Sequence, residues 1–567
     1  MMIRLRHTQD HPISVVYPQD GTESVFDMAE NLAGLIRDIC GIYPTLLCDA
    51  DMGANQETAA ILLGETELAV SVQALRDIGY GECAFYLSAD KKSLAVATRT
   101  ETLLPEAIRN LTETMTWHQG ELLLQDRLMS RHIYSIGMLR HVPPVCAGKR
   151  VQTRRSLDLC DQIVIEGITQ RDWEDYQSAL LEARFKKKYE NKIGGNSFFR
   201  YEKEECSLYV YYTSFNRTMR LLAEPVRNVH MDRKRNGSSI VTPLMTVIGG
   251  RFSTESRYLN CDAGSGNMGY VFRLEDGRFV LVDGGMDSGN YAENIYRTLS
   301  EQSPEPSNIV IACWFLSHTH IDHTGAFMTM AEKYADRITV EEIASNFPSM
   351  ADAACFREAW NTRRIKEHIH RYFPDAKYSK VHTGQKLSFT GAEVEILYTQ
   401  DDLVRKSLSL ANETLNTASI CMRITIGGNT IMLPADCDET ANHILLNMYG
   451  DYLKSDILQV CHHGGWGGTT EFYASVDPEV AIFSTSDELY SKYLQIRYNH
   501  DLVYDMHVQE AYNNAERCRV FTLPYHPAHK NLPEDPKEDC LYTEAKQLEA
   551  LASLENLKKK NAVMQQK

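Results

Sequence analysis

The chain has 567 residues, 43% of them hydrophobic and 24% charged, the balance of a soluble globular protein, and its length implies two to four domains. The 59 basic residues against 76 acidic ones leave a net charge of −17, which opposes broad binding to long nucleic acid or to an anionic membrane. The 14 cysteines are scattered with no C-x-x-C pair, and the opening MMIRLRHTQDHP has no apolar core. With no run near the ~18 apolar residues of a membrane span, a cytoplasmic protein with reduced thiols is expected.

Residues 1–125 read as one α/β module. Residues 13–17 are strand-like, and residues 22–40 carry helical periodicity in Val25, Met28, Leu32, Leu35, Ile36 and Ile39. Residues 59–64 form a short apolar strand, residues 82–87 and 93–98 a strand pair, and residues 103–115 a second helix. This order is similar to the small noncatalytic domain that precedes the barrel in several glycoside hydrolases. No catalytic motif is present.

Residues 126–240 read as a small α+β module. Thr169 and Asp172 approximate a capping box at the start of a helix. Residues 196–201 and 207–213 are strands dense in Phe and Tyr; the core of a small sheet is the favoured reading of that density, a stacking face for sugars or bases the other. The runs at 186–188 and 233–235 are the places where a local basic groove would lie; solvated faces are favoured.

Residues 241–530 hold the chemistry. An apolar run, residues 309–316 (IVIACWFL), predicts a buried strand that ends in Ser317-His318-Thr319-His320-Ile321-Asp322-His323 before a helix. Imidazole and carboxylate are ligands that zinc accepts, and four such groups within six residues are costly to bury without partners. Upstream, a hairpin turning at Asp276-Gly277 ends on Asp283-Gly284-Gly285. Downstream, a hairpin turning at Gly427-Gly428 ends on Ala435-Asp436, and a further strand ends on Cys461-His462-His463-Gly464.

This series resembles the metallo-β-lactamase superfamily. His-His-Gly is the form seen in the branch that holds the hydrolase domain of the DNA-uptake competence channel and the phosphorylcholine esterases. The resemblance implies an αββα sandwich for residues 241–530, preceded by the two small modules, with the motif loops converging on one edge. It implies His318 and His320 at a first metal, Asp322, His323 and His463 at a second, Asp436 as the bridge, and Asp283 orienting the loop from behind. Asp322, Asp436 and His462 are the expected catalytic groups. One departure stands out. The histidine that most members place before the bridging aspartate is missing, and Gln400, His382 or no residue is left as third ligand of the first site. For His382, a loop or strand-edge position is favoured. Cys437 and Cys461 are read as packing.

The implied cofactor is Zn2+, one or two per chain, with Mn2+ or Fe as alternatives. The implied activity is metal-dependent hydrolysis, with zinc-bound hydroxide attacking a phosphoester or other small ester. A nuclease or a thioester or lactone hydrolase on the same site is one alternative, and a binding or regulatory protein with a degenerate metal site is another. The helical segment within residues 347–372 is placed to cover the site. Residues 531–567 form a tail whose Leu548, Leu551, Leu554 and Leu557 make a stripe for self-association or docking, a solvated, partly frayed terminal helix being the equal alternative.

Overall fold

A computed structural model of the chain describes residues 2–536 except 20, 22, 55–58, 77, 126–128, 130–131, 134–136, 156–159, 231–233, 235–239, 252–266, 349–358, 404–414 and 515–516. The leucine stripe of the tail lies outside the described residues, as does most of the run at 233–235.

Two sheets stack at the centre. One has the strand order Lys377–Lys380, Glu342–Ser345, Ile309–Leu316, Phe279–Asp283, Gly269–Arg273, Leu244–Val247, Arg519–Thr522, with Ile338–Val340 pairing beside Ile309–Leu316. The other runs Lys386–Phe389, Ala392–Tyr398, Cys421–Ile426, Asn429–Leu433, Ile457–Gln459, Val480–Phe483, Glu510–Asn513. Alternating residues such as Val280, Phe315, Ile396, Met422 and Ile431 fill the space between them, as facing sheets require. The helices Tyr291–Gln302, Ile321–Tyr334 and Ala359–Tyr372 cover the first sheet through Ile295, Phe327, Ile365 and Ile369. Both predicted hairpins form, Gly269–Arg273 with Phe279–Asp283 and Cys421–Ile426 with Asn429–Leu433. The αββα sandwich expected for this part of the chain is present.

The second sheet is covered in two ways. Glu439–Tyr449 and Thr470–Val476 are helices packed on it. Beside them lies another six-stranded sheet, in the order Lys149–Arg155, Asp161–Glu166, Thr218–Pro225, Cys206–Thr213, Asn196–Lys203, Lys186–Ile193. Its aromatic density has a double cause. Phe199, Tyr201, Leu208 and Val210 face Trp173 of the helix Gln170–Glu182, while Phe198, Tyr209 and Tyr211 pack against Leu397, Tyr398 and Met432 of the sandwich. A sheet buried on both faces loses the polar alternation of a half-exposed one. The stacking-face alternative therefore gives way to packing. In the basic run at 186–188, Lys187 pairs with Glu190 and Lys188 with Glu202.

The N-terminal sheet has the order Thr45–Cys48, Ser14–Tyr17, Ala60–Leu63, Ser93–Thr98, Glu82–Leu87, His132–Ile133, the first three pairings parallel. The helices Glu23–Cys40 and Leu104–Glu113 pack against it. Thr45–Cys48 and the helix Ala69–Leu75 are additions to the sequence reading. The strand is half-exposed on an edge, so it has little apolar pattern to display. His132–Ile133 joins this sheet from beyond residue 125. No helix among the described residues is long and apolar enough to cross a membrane.

Candidate metal centre

The motif loops meet at one edge of the sandwich because each follows a strand that ends there. Ile309–Leu316 delivers Ser317 and His318; His320 is extended, and the helix Ile321–Tyr334 begins immediately after it. Asp322 and His323 thus occupy the helix's first turn, where the dipole favours the carboxylate. Gly325 lets this helix lie against the loop after Phe279–Asp283, since a Cβ there would stand 2.3 Å from the Asp287 amide nitrogen.

Four motif residues hold positive φ: Asp283 at 55°, Ala435 at 51°, His462 at 47° and His463 at 61°. Such conformations cost a residue with a side chain on the order of 1 kcal/mol or more. Ala435 holds a conformation that favours glycine. Gln459 brackets it. The side-chain carbonyl accepts the Ala435 amide at 2.8 Å, and the side-chain amide donates back to the Ala435 carbonyl at 3.1 Å. Nothing in the sequence marked Gln459, whose role depends on the neighbouring strand.

The side chains converge. His318 Nε2 lies 3.1 Å from His320 Nδ1, and His323 Nε2 lies 3.2 Å from His463 Nε2. Asp436 Oδ1 is 3.1 Å from His323 Nε2 and 3.4 Å from His463 Nε2, while its Oδ2 is 3.8 Å from His318 Nε2. Asp322 Oδ2 is 3.3 Å from His463 Nε2. Two overlapping triads result, His318–His323–Asp436 and Asp322–His323–His463. His320 and His462 flank them, His462 Nε2 being 3.7 Å from Asp436 Oδ2.

Asp283 sits behind the cluster. Its Oδ2 is 2.7 Å from His323 Nδ1, and it also accepts the Ser317 amide at 2.8 Å and the Ser317 hydroxyl at 2.7 Å. These bonds fix the His323 ring so that Nε2 faces the other donors.

Ionisation follows from the crowding. Burial and the neighbouring imidazoles push His318 well below the ordinary histidine range. Burial also lowers His320, only partly offset by Asp322 and Asp436. Burial pushes Asp436 up, but His323, His463 and His462 outweigh it and hold the carboxyl well below its usual range. Burial likewise opposes protonation of His463, yet Asp436 and Asp322 raise it to about 9. Positive charge is needed between the carboxylates, and histidine protons supply it when no cation does.

The donor set fits a metal ion on two observations. Donor separations of 3.1–3.8 Å match the ~3.3 Å edge of a tetrahedron with ~2.0–2.1 Å bonds. Asp436 Oδ1 is also buried with no hydrogen bond, an arrangement that is expensive unless another partner is meant for it.

Both candidates for the missing third ligand make hydrogen bonds elsewhere. The Gln400 side-chain amide donates to Asn346 O at 2.8 Å and Asn346 Oδ1 at 3.0 Å. His382 is fully buried, with Nδ1 2.8 Å from Asp401 Oδ2 and Nε2 3.1 Å from Glu224 Oε1. His382 lies in a loop, as favoured, between Lys377–Lys380 and Lys386–Phe389; its burial against Glu224 of the preceding module had no local signal. Cys437 and Cys461 are buried, their thiols 3.9 Å from Ser419 O and 3.8 Å from Asn442 Oδ1.

Residues 261–485 match the family model for the metallo-beta-lactamase superfamily. A metallo-β-lactamase domain is present in this chain. No curated protein sequence matches it. Among solved structures, the chain is similar to CmlA, a diiron β-hydroxylase from Streptomyces venezuelae, at 12% identity and a TM-score of 0.27, over 53% of this chain and 55% of that one. The likeness thus spans just over half of the hydroxylase. It is also similar to unliganded yeast PDE1, at 9% identity and a TM-score of 0.25, over 43% of this chain and 87% of that one. A possible metal-dependent hydrolase from Veillonella parvula is 11% identical, with a TM-score of 0.26, over 45% of this chain and 96% of that one.

Proposed function

We propose that the metallo-β-lactamase domain is a metal-dependent hydrolase acting on a phosphoester or other small ester. The observation that carries this reading is Asp436. It is a buried carboxylate, flanked by His323 and His463, with one oxygen left without a hydrogen bond. His318, His320, Asp322, His323, Asp436 and His463 would hold one or two divalent cations, zinc fitting the imidazole and carboxylate set and Mn2+ or Fe also accepting it. A cation bound there supplies Lewis acidity, polarising the substrate's oxygen and easing deprotonation of water near neutral pH.

The remaining work falls to the protein. Asp283 holds the His323 ring in one orientation. Asp322 and Asp436 orient the attacking water by accepting its hydrogen bonds. His462 is set up to exchange a proton through Nε2: its Nδ1 hydrogen bonds the Trp466 carbonyl, which leaves Nε2 as the acceptor for the Asn416 amide at 3.2 Å. Nε2 therefore takes the proton that the attacking water loses and passes it to the leaving group. The acidic net charge favours a small substrate over long nucleic acid.

The test is metal content of the untagged protein, followed by titration of bis-nitrophenyl phosphate turnover with zinc or manganese. Metal-dependent turnover is expected. A saturated centre with no turnover of phosphodiester, thioester or lactone would instead favour a binding role.

A further inference from the structure

A second group of metal-type ligands lies away from the hydrolytic centre. Cys160 precedes the strand Asp161–Glu166, and the register that pairs Asp161 with Ala223 sets Cys160 opposite Glu224 on the adjacent strand. Residues opposite each other on one face of a sheet have Cβ atoms roughly 5 Å apart. The sandwich supplies the third member, His382, from the loop between Lys377–Lys380 and Lys386–Phe389. Cys160, Glu224 and His382 are 2%, 1% and 0% exposed. One donor atom from each lies within 4.8 Å of the others.

Two details distinguish this group from an ordinary buried ion pair. Glu224 Oε2 is buried with no hydrogen bond, although Oε1 already faces His382 Nε2. Behind the ring, Asp401 Oδ2 takes His382 Nδ1 at 2.8 Å. A carboxylate on one ring nitrogen leaves the other to face a cation, the arrangement that histidine ligands of metals commonly use. Asp283 and His323 repeat it at the hydrolytic centre.

We propose that Cys160, Glu224 and His382 form a buried zinc site that clamps the second module to the metallo-β-lactamase domain. Thiolate, imidazole and carboxylate are the three ligand types zinc accepts, and the unpaired oxygen lets Glu224 chelate through both its oxygens. His382 Nε2 and Glu224 Oε1, 3.1 Å apart, already have the spacing of ligands on one ion. The Cys160 thiol stands within 4.8 Å of a donor atom of both residues. The ion is structural, because its ligands are buried and come from both sides of one interface. Around it, Tyr209 stacks on the His382 ring at 5.3 Å and donates its hydroxyl to Thr383 O, and Gln162 and Arg220 donate to Asp401 O. Gly384 admits the module, since a Cβ there would meet the Phe198 ring at 2.1 Å.

The site stands independently of the hydrolase reading, because the proposed hydrolytic ligands include no cysteine. The test uses the full chain loaded with Co2+. The expected result is a thiolate-to-cobalt charge-transfer absorption in the near ultraviolet that Cys160→Ser removes, together with one metal ion fewer per chain. Zinc-edge absorption spectroscopy of the wild-type protein should show a sulfur shell at ~2.3 Å that amounts to one sulfur per chain. If Cys160→Ser fails to fold, the wild-type spectra alone decide. Absence of sulfur from the metal environment, or a charge-transfer band that persists in a folded Cys160→Ser, overturns the proposal.

Discussion

The N-terminal module and the metallo-β-lactamase domain both bury carboxylates, and they treat them in opposite ways. In the N-terminal module Asp49 is 8% exposed, and both its oxygens accept backbone amides, Gln19 at 2.7 Å and Glu67 at 2.8 Å. It ties two loops together and leaves nothing unpaired. Asp436 is 1% exposed, surrounded by imidazoles, and keeps one oxygen with no hydrogen bond. Backbone amides serve a carboxylate whose purpose is structural. Side-chain ligands around an unsatisfied oxygen serve one that awaits a cation.

The largest effect should come from breaking the second kind. Asp436→Ala is expected to reduce turnover by on the order of 10³-fold, about 4 kcal/mol of transition-state stabilisation, and to lower metal content. Circular dichroism should show folding preserved, since the flanking histidines are anchored by other bonds. Unchanged turnover would remove the proposed centre from consideration. Asp283→Asn acts at one remove. The amide weakens the bond to His323 without emptying the site, so a loss of roughly 10–100-fold in metal affinity or activity is expected, read by metal titration.

These residues were legible in the sequence because each lies at a strand end with its motif intact. His318 to His323 follow eight apolar residues, Asp283 and Asp436 close hairpins with glycine turns, and His463 precedes Gly464. Their approach is a property of the sandwich, whose alternating strands were also visible. The Cys160–Glu224–His382 group had no such signal. Its members are scattered over 222 residues, the gap between 160 and 382, and a register and a docking face were needed to join them. The same holds for Gln459, which looks like any polar strand residue until the strained Ala435 beside it is seen.

Burial of a carboxylate in the sandwich is not by itself a mark of the centre, and Glu395 sharpens the contrast. It is 4% exposed, with Lys386 Nζ at 2.8 Å, Arg423 Nε at 2.9 Å and the Tyr452 hydroxyl at 2.6 Å. Burial pushes its carboxyl up, but Lys386, Tyr452 and Arg423 outweigh that and hold it below the usual range. A pKa depressed on folding contributes stability that is present above the unfolded value and lost as pH falls through the folded one. Glu395→Gln should therefore destabilise by about 3 kcal/mol near neutrality, with the deficit shrinking below about pH 4.5. Metal content should not change. Denaturant titrations at several pH values would show this, and a deficit that stays constant into acid would refute the assignment.

The smallest effect tests the other half of the comparison. Asp49→Ala removes the acceptor for two backbone amides, each partly buried and each bound at 2.7–2.8 Å. Leaving such donors without protein partners costs about 1–3 kcal/mol when water is excluded. Here water reaches the loops, so about 1–2 kcal/mol is expected, seen as a fall in Tm. Turnover and metal content should match wild type, because every bond lost lies within the first module. A loss of metal together with the loss of Tm would mean that this module and the centre are energetically coupled, and the division between structural and functional carboxylates would fail at its simplest case.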